Sequence, residues 1–278
     1  MAEKFAIITG ASTGIGFELA HLAARDGYDV LIVANEPLIN SAGADIQQHG
    51  VEVRSIEADL STFDGVDKLL AATSDRQVDV LCANAGHGLG HGFLDQSPSD
   101  WRHVIDTNIV GTLYLVQKVL KKMVARGEGK VMLTGSIAGF MPGTYQAVYN
   151  GTKAFVDSFA DAIRAELENE GHEHVTITNL MPGATDTEFF DRAQMGDTSV
   201  GQAKKDDPSK VAYDGWTQMM SGGGDIVSGW KNKVQVAAAH VLPAAVTAAM
   251  HRSMAEPGSG TDGTEVGEKR VPSGFPKS

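Results

Sequence analysis

A single cysteine, Cys82, stands in 278 residues. One thiol closes no internal disulfide and builds no cysteine zinc cage. At the end of an apolar run it reads as a buried, inert thiol. Aromatic residues are sparse, at 6%, and no stretch approaches the roughly 18 consecutive apolar residues of a membrane-spanning helix. Basic residues are also short: 23 Lys and Arg against 35 Asp and Glu leave a net charge of −12. Such a chain has little overall attraction for phosphate backbones or anionic lipid, so neither nucleic acid nor membrane is an expected partner. The opening MAEKFAIITG holds too few apolar residues before Gly10 for a signal-peptide core, and a cytoplasmic location is expected. Glycine is plentiful, 32 residues, in a chain that is 42% apolar. That combination suggests several tight backbone turns on an ordinary globular core.

Short apolar runs alternate with helical spacing. Strands are expected at Phe5–Thr9, Asp29–Ala34, Glu52–Glu57, Val78–Ala83, Lys130–Thr134 and Thr176–Leu180. Helices are expected at Leu38–His49, Thr62–Thr73, Asp100–Arg126 and Tyr149–Glu170, with one more from Ile15 to Gly27. The runs VLIVA and VLCA are apolar at consecutive positions, as in a parallel sheet covered on both faces. The expected fold is therefore α/β: a doubly wound, mainly parallel sheet of about seven strands with helices on both faces. One domain spans residues 1–255. Within it, 186–230 has few strand signals and reads as a substrate lid carrying Phe189, Phe190, Met195, Trp216, Met219 and Met220, which either suit a hydrophobic substrate or pack the segment onto the domain. Lys231–Met254 reads as a helix interrupted by Pro243. Residues 256–278, rich in glycine and proline, read as a tail that is disordered or docks on a neighbour.

Four clusters carry chemistry. Thr9-Gly-Ala-Ser-Thr-Gly-Ile-Gly16 follows a strand and opens a helix. Its glycines let backbone N–H groups approach a pyrophosphate, and the helix start supplies positive potential. Tyr149 and Lys153 stand at i and i+4, on one face of a helix. A phenol titrates near pH 10, and an adjacent cation favours its phenolate; in isolation, such a pair is more often a plain surface contact. Ser136 follows the strand KVMLT, where a hydroxyl could hold a carbonyl oxygen or simply cap a turn. Asn84-Ala85-Gly86 ends another strand, and Asn108 lies inside an apolar helical run, where it needs a buried partner. His87 and His91, in GHGLGHG, have no third ligand nearby, so no metal is expected; they read as edging the substrate pocket or as solvated.

Taken together, TGASTGIG, Asp59-Leu60, Asn84-Ala85-Gly86, Asn108, Ser136, YNGTK at 149–153 and Pro182-Gly183 resemble the short-chain dehydrogenase/reductase family in its compact one-domain branch, over about residues 4–255. The resemblance implies a nicotinamide-dependent oxidoreductase. Tyr149 would be the general acid or base, and Lys153 would hold the nicotinamide ribose and lower the tyrosine pKa. Ser136 would orient the substrate oxygen, and Asn108 would extend the proton relay through a water. Gly10, Ser12, Thr13, Gly14 and Ile15 would line the pyrophosphate and adenosine. Asp59 and Leu60 would flank the adenine, and Asn84, Ala85 and Gly86 the ribose. Pro182, Gly183, Thr185 and Thr187 would meet the nicotinamide side. Relatives that prefer NADP often carry a cation at the position of Asn35 or Thr13. Here both are neutral and Glu36 is adjacent, which leans the cofactor from NAD(P)(H) towards NAD. The implied reaction interconverts a secondary alcohol and a ketone, the small molecule having a hydrophobic body. Reduction of a C=C or C=N bond, or dinucleotide binding for sensing or assembly without turnover, are the alternatives. The resemblance also implies a homodimer or homotetramer.

Overall fold

The computed structural model describes residues 4–73 and 76–260. In chain order, the first half contains β1 (Phe5–Thr9), α1 (Gly14–Arg25), β2 (Asp29–Ala34), α2 (Leu38–Ile46), β3 (Val53–Glu57), α3 (Phe63–Ala71), β4 (Val80–Ala83), α4 (Pro98–Ile105), α5 (Thr112–Arg126) and β5 (Gly129–Thr134). The second half contains α6 (Ala147–Asn169), β6 (Val175–Met181), α7 (Phe189–Arg192), α8 (Ser199–Gln202), α9 (Pro208–Met220), β7 (Ile226–Val227), α10 (Trp230–Val241) and α11 (Ala244–Ala255). The strands form one seven-stranded sheet in the order β3-β2-β1-β4-β5-β6-β7, and every neighbouring pair is parallel.

Side chains of successive strand residues point to opposite faces, and both faces here are buried. Ala6, Ile8, Val30, Ile32, Cys82 and Leu180 pack against Leu19, Ile39, Val211 and Trp216 of α1, α2 and α9. Phe5, Ile7, Leu31, Val33, Leu81 and Leu133 pack against Val66, Leu115, Val119, Val156 and Ala160 of α3, α5 and α6. Consecutive apolar residues in these strands thus serve two cores at once. Cys82 lies wholly inside the first, and burial pushes its thiol pKa up.

Helix starts follow side-chain caps. Thr62 Oγ1 accepts from Gly65 N ahead of α3. Ser97 and Asp207 cap α4 and α9, each followed by a proline at the first helical position. One expectation is refined and two are corrected. Asp100–Arg126 is helical throughout, as expected, but a π-helical turn at Asp106–Gly111 interrupts the α-helical ladder between α4 and α5. Residues 186–230 are not all lid: Trp216 and Met219 of α9 are buried with α1, with Met220 against them. Trp216 Nε1 also donates to Asp26 Oδ2 at 2.7 Å. The lack of strand signals that suggested a lid here partly reflects a helix, α9, packed on the sheet. Lastly, Glu256–Gly260 dock on the same chain, where Gly258 N donates to Asp197 Oδ2 and Ser199 Oγ to Ser259 O. The remainder of the expected tail, 261–278, lies outside the described residues.

Candidate active site

The sheet changes winding direction between β1 and β4, and the loops at the carboxyl ends of these strands part around a crevice. The crevice opens into a cavity of about 640 Å³, a size typical of ligand sites. Every expected cofactor contact lines it: Gly10, Ser12, Thr13, Gly14 and Ile15 at one rim, Asn35, Asp59 and Leu60 at one end, Asn84, Ala85 and Gly86 on the floor, and Lys153, Pro182, Gly183, Thr185 and Thr187 further in.

The rim depends on glycine. Gly10 adopts φ +64°, and a Cβ there would fall 2.9 Å from Ala85 Cα. A Cβ on Gly16 would fall 2.1 Å from the Gly10 carbonyl oxygen. Only bare backbone lets α1 begin this close to β1, with its free N–H groups towards the crevice. A cradle that side chains would fill fits a dinucleotide pyrophosphate. Asn84 ties the floor together. Its Nδ2 donates to Thr9 O at 3.1 Å, its Oδ1 accepts from Thr134 Oγ1 at 3.1 Å, and its N–H reaches Thr9 Oγ1 at 2.9 Å. It thereby joins β1, β4 and β5 as well as lining the cavity.

Tyr149 and Lys153 leave α6 on its cavity side, with the ammonium 5.8 Å from the phenol ring centroid. Ser136 ends the loop after β5. Its Oγ accepts from Ala138 N at 3.1 Å, so it does cap a turn, and it also lies against the Tyr149 hydroxyl, favouring the phenolate. Lys153 Nζ donates to Thr134 O at 2.7 Å. Burial pushes the Tyr149 phenol up to about 12 and Lys153 down to about 8. The lowering of the tyrosine by the lysine is what the resemblance implies; here burial is the largest influence on the phenol. Desolvation dominates both groups, and the lysine's bond is to a carbonyl.

Asn108 finds the partners that an asparagine in an apolar run requires. Oδ1 accepts from His87 N at 2.7 Å, and Nδ2 donates to His87 O at 3.0 Å and Thr152 Oγ1 at 2.9 Å. The side chain is buried behind the cavity wall and holds the loop after β4 against α6. The π turn that contains Asn108 loosens the helical hydrogen-bond ladder, as such turns do at functional sites.

Sequence reading missed one cation. At the Asn35 end, Glu36 accepts from Ser12 Oγ at 2.5 Å and from Arg192 Nη2 at 2.9 Å. Arg192, at the end of α7, also pairs with Glu188. These bonds hold the Glu36 carboxyl below its ordinary value despite partial burial. Nothing in the spacing between residues 36 and 192 signals this contact. The outer wall was foreseen only in part, in Phe189 and Phe190 of the expected lid. Phe189 packs on the Tyr149 ring, 5.1 Å between centroids, and Gln235 of α10 and His251 and Met254 of α11 also line the cavity. His251 Nδ1 lies 2.9 Å from Thr144 O. His87 packs edge-on against His103 at 5.1 Å. His87 and His103 line the cavity too.

A parallel doubly wound sheet with a glycine-rich β1–α1 turn and a Ser-Tyr-Lys cluster at its crevice defines a class of protein. The model of the short chain dehydrogenase family matches residues 4–197. This chain belongs to that family. It is 30% identical over 213 residues to an uncharacterized oxidoreductase of Staphylococcus epidermidis, covering 76% of this chain and 88% of that one. A short-chain dehydrogenase from Sphingobium yanoikuyae, solved with NADPH, superposes with a TM-score of 0.75 at 26% identity, covering 82% of this chain and 88% of the other. A family member from Burkholderia phymatum, solved with NAD, shares the fold at a TM-score of 0.79 and 22% identity, covering 86% and 93%. Among the described residues no helix is long and apolar enough to cross a membrane.

Proposed function

We propose that this protein is an NAD(P)(H)-dependent oxidoreductase that interconverts a secondary alcohol and a ketone. One observation carries the reading. Ser136, Tyr149 and Lys153 converge on the same cavity as the glycine rim of α1. A bound nicotinamide would supply or accept the hydride. The chain's own residues handle the oxygen. Ser136 and Tyr149 present two hydroxyls to one carbonyl, an arrangement that suits C=O better than C=C. Held near pKa 12, Tyr149 is a phenol throughout the neutral range and can donate its proton as the carbonyl oxygen gains charge. Lys153 would hold the ribose, and Asn108 fixes the loop beside it. Phe189, Met254 and Ile137 on the cavity wall suit a substrate with a hydrophobic body.

The cofactor proposed is NAD(H). Glu36 lies at the cavity end where a 2′-hydroxyl or 2′-phosphate would arrive. Its carboxylate accepts from a hydroxyl and would repel a phosphate. Arg192 is the one lid cation poised to reverse this preference by turning from Glu36 to a phosphate. Homo-oligomer assembly through α5 and α6 is proposed on exposed Phe155, which stacks on Phe159 along α6.

Turnover of a panel of hydrophobic ketones and alcohols tests the reading, with wild type and Tyr149→Phe compared. The variant should lose about 10²–10⁴-fold in kcat while binding cofactor as before. Cofactor binding without turnover in either protein would favour a binding-only role. Melting shifts with NADH and NADPH read the preference: a ligand at 100 times its Kd adds about 2.7 kcal/mol. A larger shift with NADPH would overturn the NAD assignment.

A further inference from the structure

A carboxylate outside the expected catalytic set lies one helical turn beyond Lys153. Asp157 follows Tyr149 and Lys153 at i+8 and i+4 on α6, so it leaves the same side of the helix. It joins two other elements to α6. Oδ1 accepts from Nδ2 of Asn179 on β6 at 3.0 Å. The peptide N–H of Ser136 points at the carboxylate and favours its charged form. Two glycines make room for it: a Cβ on Gly135 would fall 1.9 Å from Oδ1, and one on Gly139 2.2 Å from Oδ2. The loop that presents Ser136 is thus laid directly on this side chain.

The charge itself needs an explanation. Among the described residues, buried Oδ2 finds no hydrogen-bond partner of ordinary geometry, and the Ser136 N–H only points at the carboxylate, which is costly for an ionised group. An asparagine would keep the bond to Asn179 and bury no charge, leaving only a neutral amide where Oδ2 stands. Burial pushes the Asp157 carboxyl up to about 6, so it is still ionised at neutral pH. The group that gains is Lys153, a buried ammonium whose own bond goes to a neutral carbonyl. Asp157 acts on it through space in favour of its charged form.

We propose that Asp157 is a positioning residue: it anchors the Ser136 loop to α6 and supplies the negative charge that keeps Lys153 an ammonium. This rests on the reaction reading above, in which that ammonium holds the ribose. Among the described residues, the titratable groups that line the cavity with Lys153 include Glu36, Asp59 and His251. Tyr149 lies on α6, His87 and His103 line the cavity from the loop after β4 and from α4, and Glu188 and Arg192 line it from the lid. Asp225, before β7, opposes the Asp157 charge from behind and is held by Arg164 at 2.5 Å.

The test needs no substrate. In protein labelled with ¹³C-lysine, the Cε signal of Lys153, assigned with Lys153→Met, is titrated with pH in wild type and Asp157→Asn. The midpoint should fall by at least half a pH unit in the variant, with a Tm at pH 8 no lower than wild type. An unchanged midpoint in a folded variant overturns the proposal. Asp157→Ser, which removes the charge and leaves space, is the second variant should the asparagine not fold, and its midpoint is expected to fall likewise. In turnover assays the pH profile of Asp157→Asn should move to lower pH rather than merely drop in height. A wild type that titrates as expected yet turns over no carbonyl would sink the reaction reading and leave the Asp157–Lys153 coupling standing.

Discussion

One wall of the cleft, from β1 to β4, has a rim of bare main chain at its glycines, with side chains such as Glu36 at its far end; the other, from α7 to α11, is made of side chains. On the first wall, Gly10, Gly14, Gly16 and Gly86 leave backbone bare, and Asn84 and Thr9 fasten neighbouring strands beneath it. On the second, Phe189, Arg192, His251 and Met254 reach in from short helices that themselves rest on other side chains, such as the Tyr145–Glu256 bond of 3.1 Å. A backbone wall tolerates almost no added atom and recognises what every dinucleotide shares. A side-chain wall can be recut residue by residue, so under the proposed function it is where choice of substrate would reside.

If that contrast holds, the largest effect comes from the backbone wall. Gly16→Val places carbon against the Gly10 carbonyl and should cost about 3 kcal/mol of stability, read by urea unfolding. The melting shift with NADH should vanish with it. A variant that folds and binds normally would show that the rim is far more pliant than its spacing implies.

Lys153→Met sits where the two walls meet and should give a smaller effect of opposite sign. The lysine's folded pKa, about 8, is depressed from 10.5. The penalty for charging it is therefore full below pH 8 and disappears above its unfolded value. At pH 7 the variant should be more stable by about 1–3 kcal/mol, and the wild type should close the gap as pH rises from 7 to 10. Thermal melts across that range check the sign, while cofactor binding and turnover collapse.

Met254→Ala, on the side-chain wall, should have the least effect. It should raise KM for a bulky ketone about fivefold, near 1 kcal/mol, with NADH binding unchanged. A change in NADH binding instead would erase the proposed division of labour.

The same contrast explains what was legible in the sequence. Consecutive apolar residues in DVLIVA and VLCA announced strands buried on both faces, and glycines 10, 14 and 16 announced a backbone cradle, because each signal is local. Arg192 on Glu36 joins residues 156 apart, and no local spacing encodes that. Asp157 was equally silent: an acidic residue on a long helix normally faces water, and only Gly135 and Gly139 opposite it betray a pocket. Trp216 misled for the related reason that an aromatic among methionines looks the same whether it covers a site or a sheet. The helix from α4 through α5 was legible, but the π turn at Asn108 was not, because nothing local before Gly111 marks a change of hydrogen-bond register.

Trp216 has a further consequence, for the order in which this protein can be made. Its indole bonds Asp26 and its ring meets Tyr28 edge-on at 5.8 Å, across 190 residues of chain. The outer face of α1 therefore stays bare on the ribosome until α9 emerges, roughly 10–40 s later at 5–20 residues per second. Throughout that interval Leu19, Leu22 and Ala23 form a sticky surface on a nascent chain whose cofactor cradle is already synthesised, and that interval is when a chaperone has something to hold.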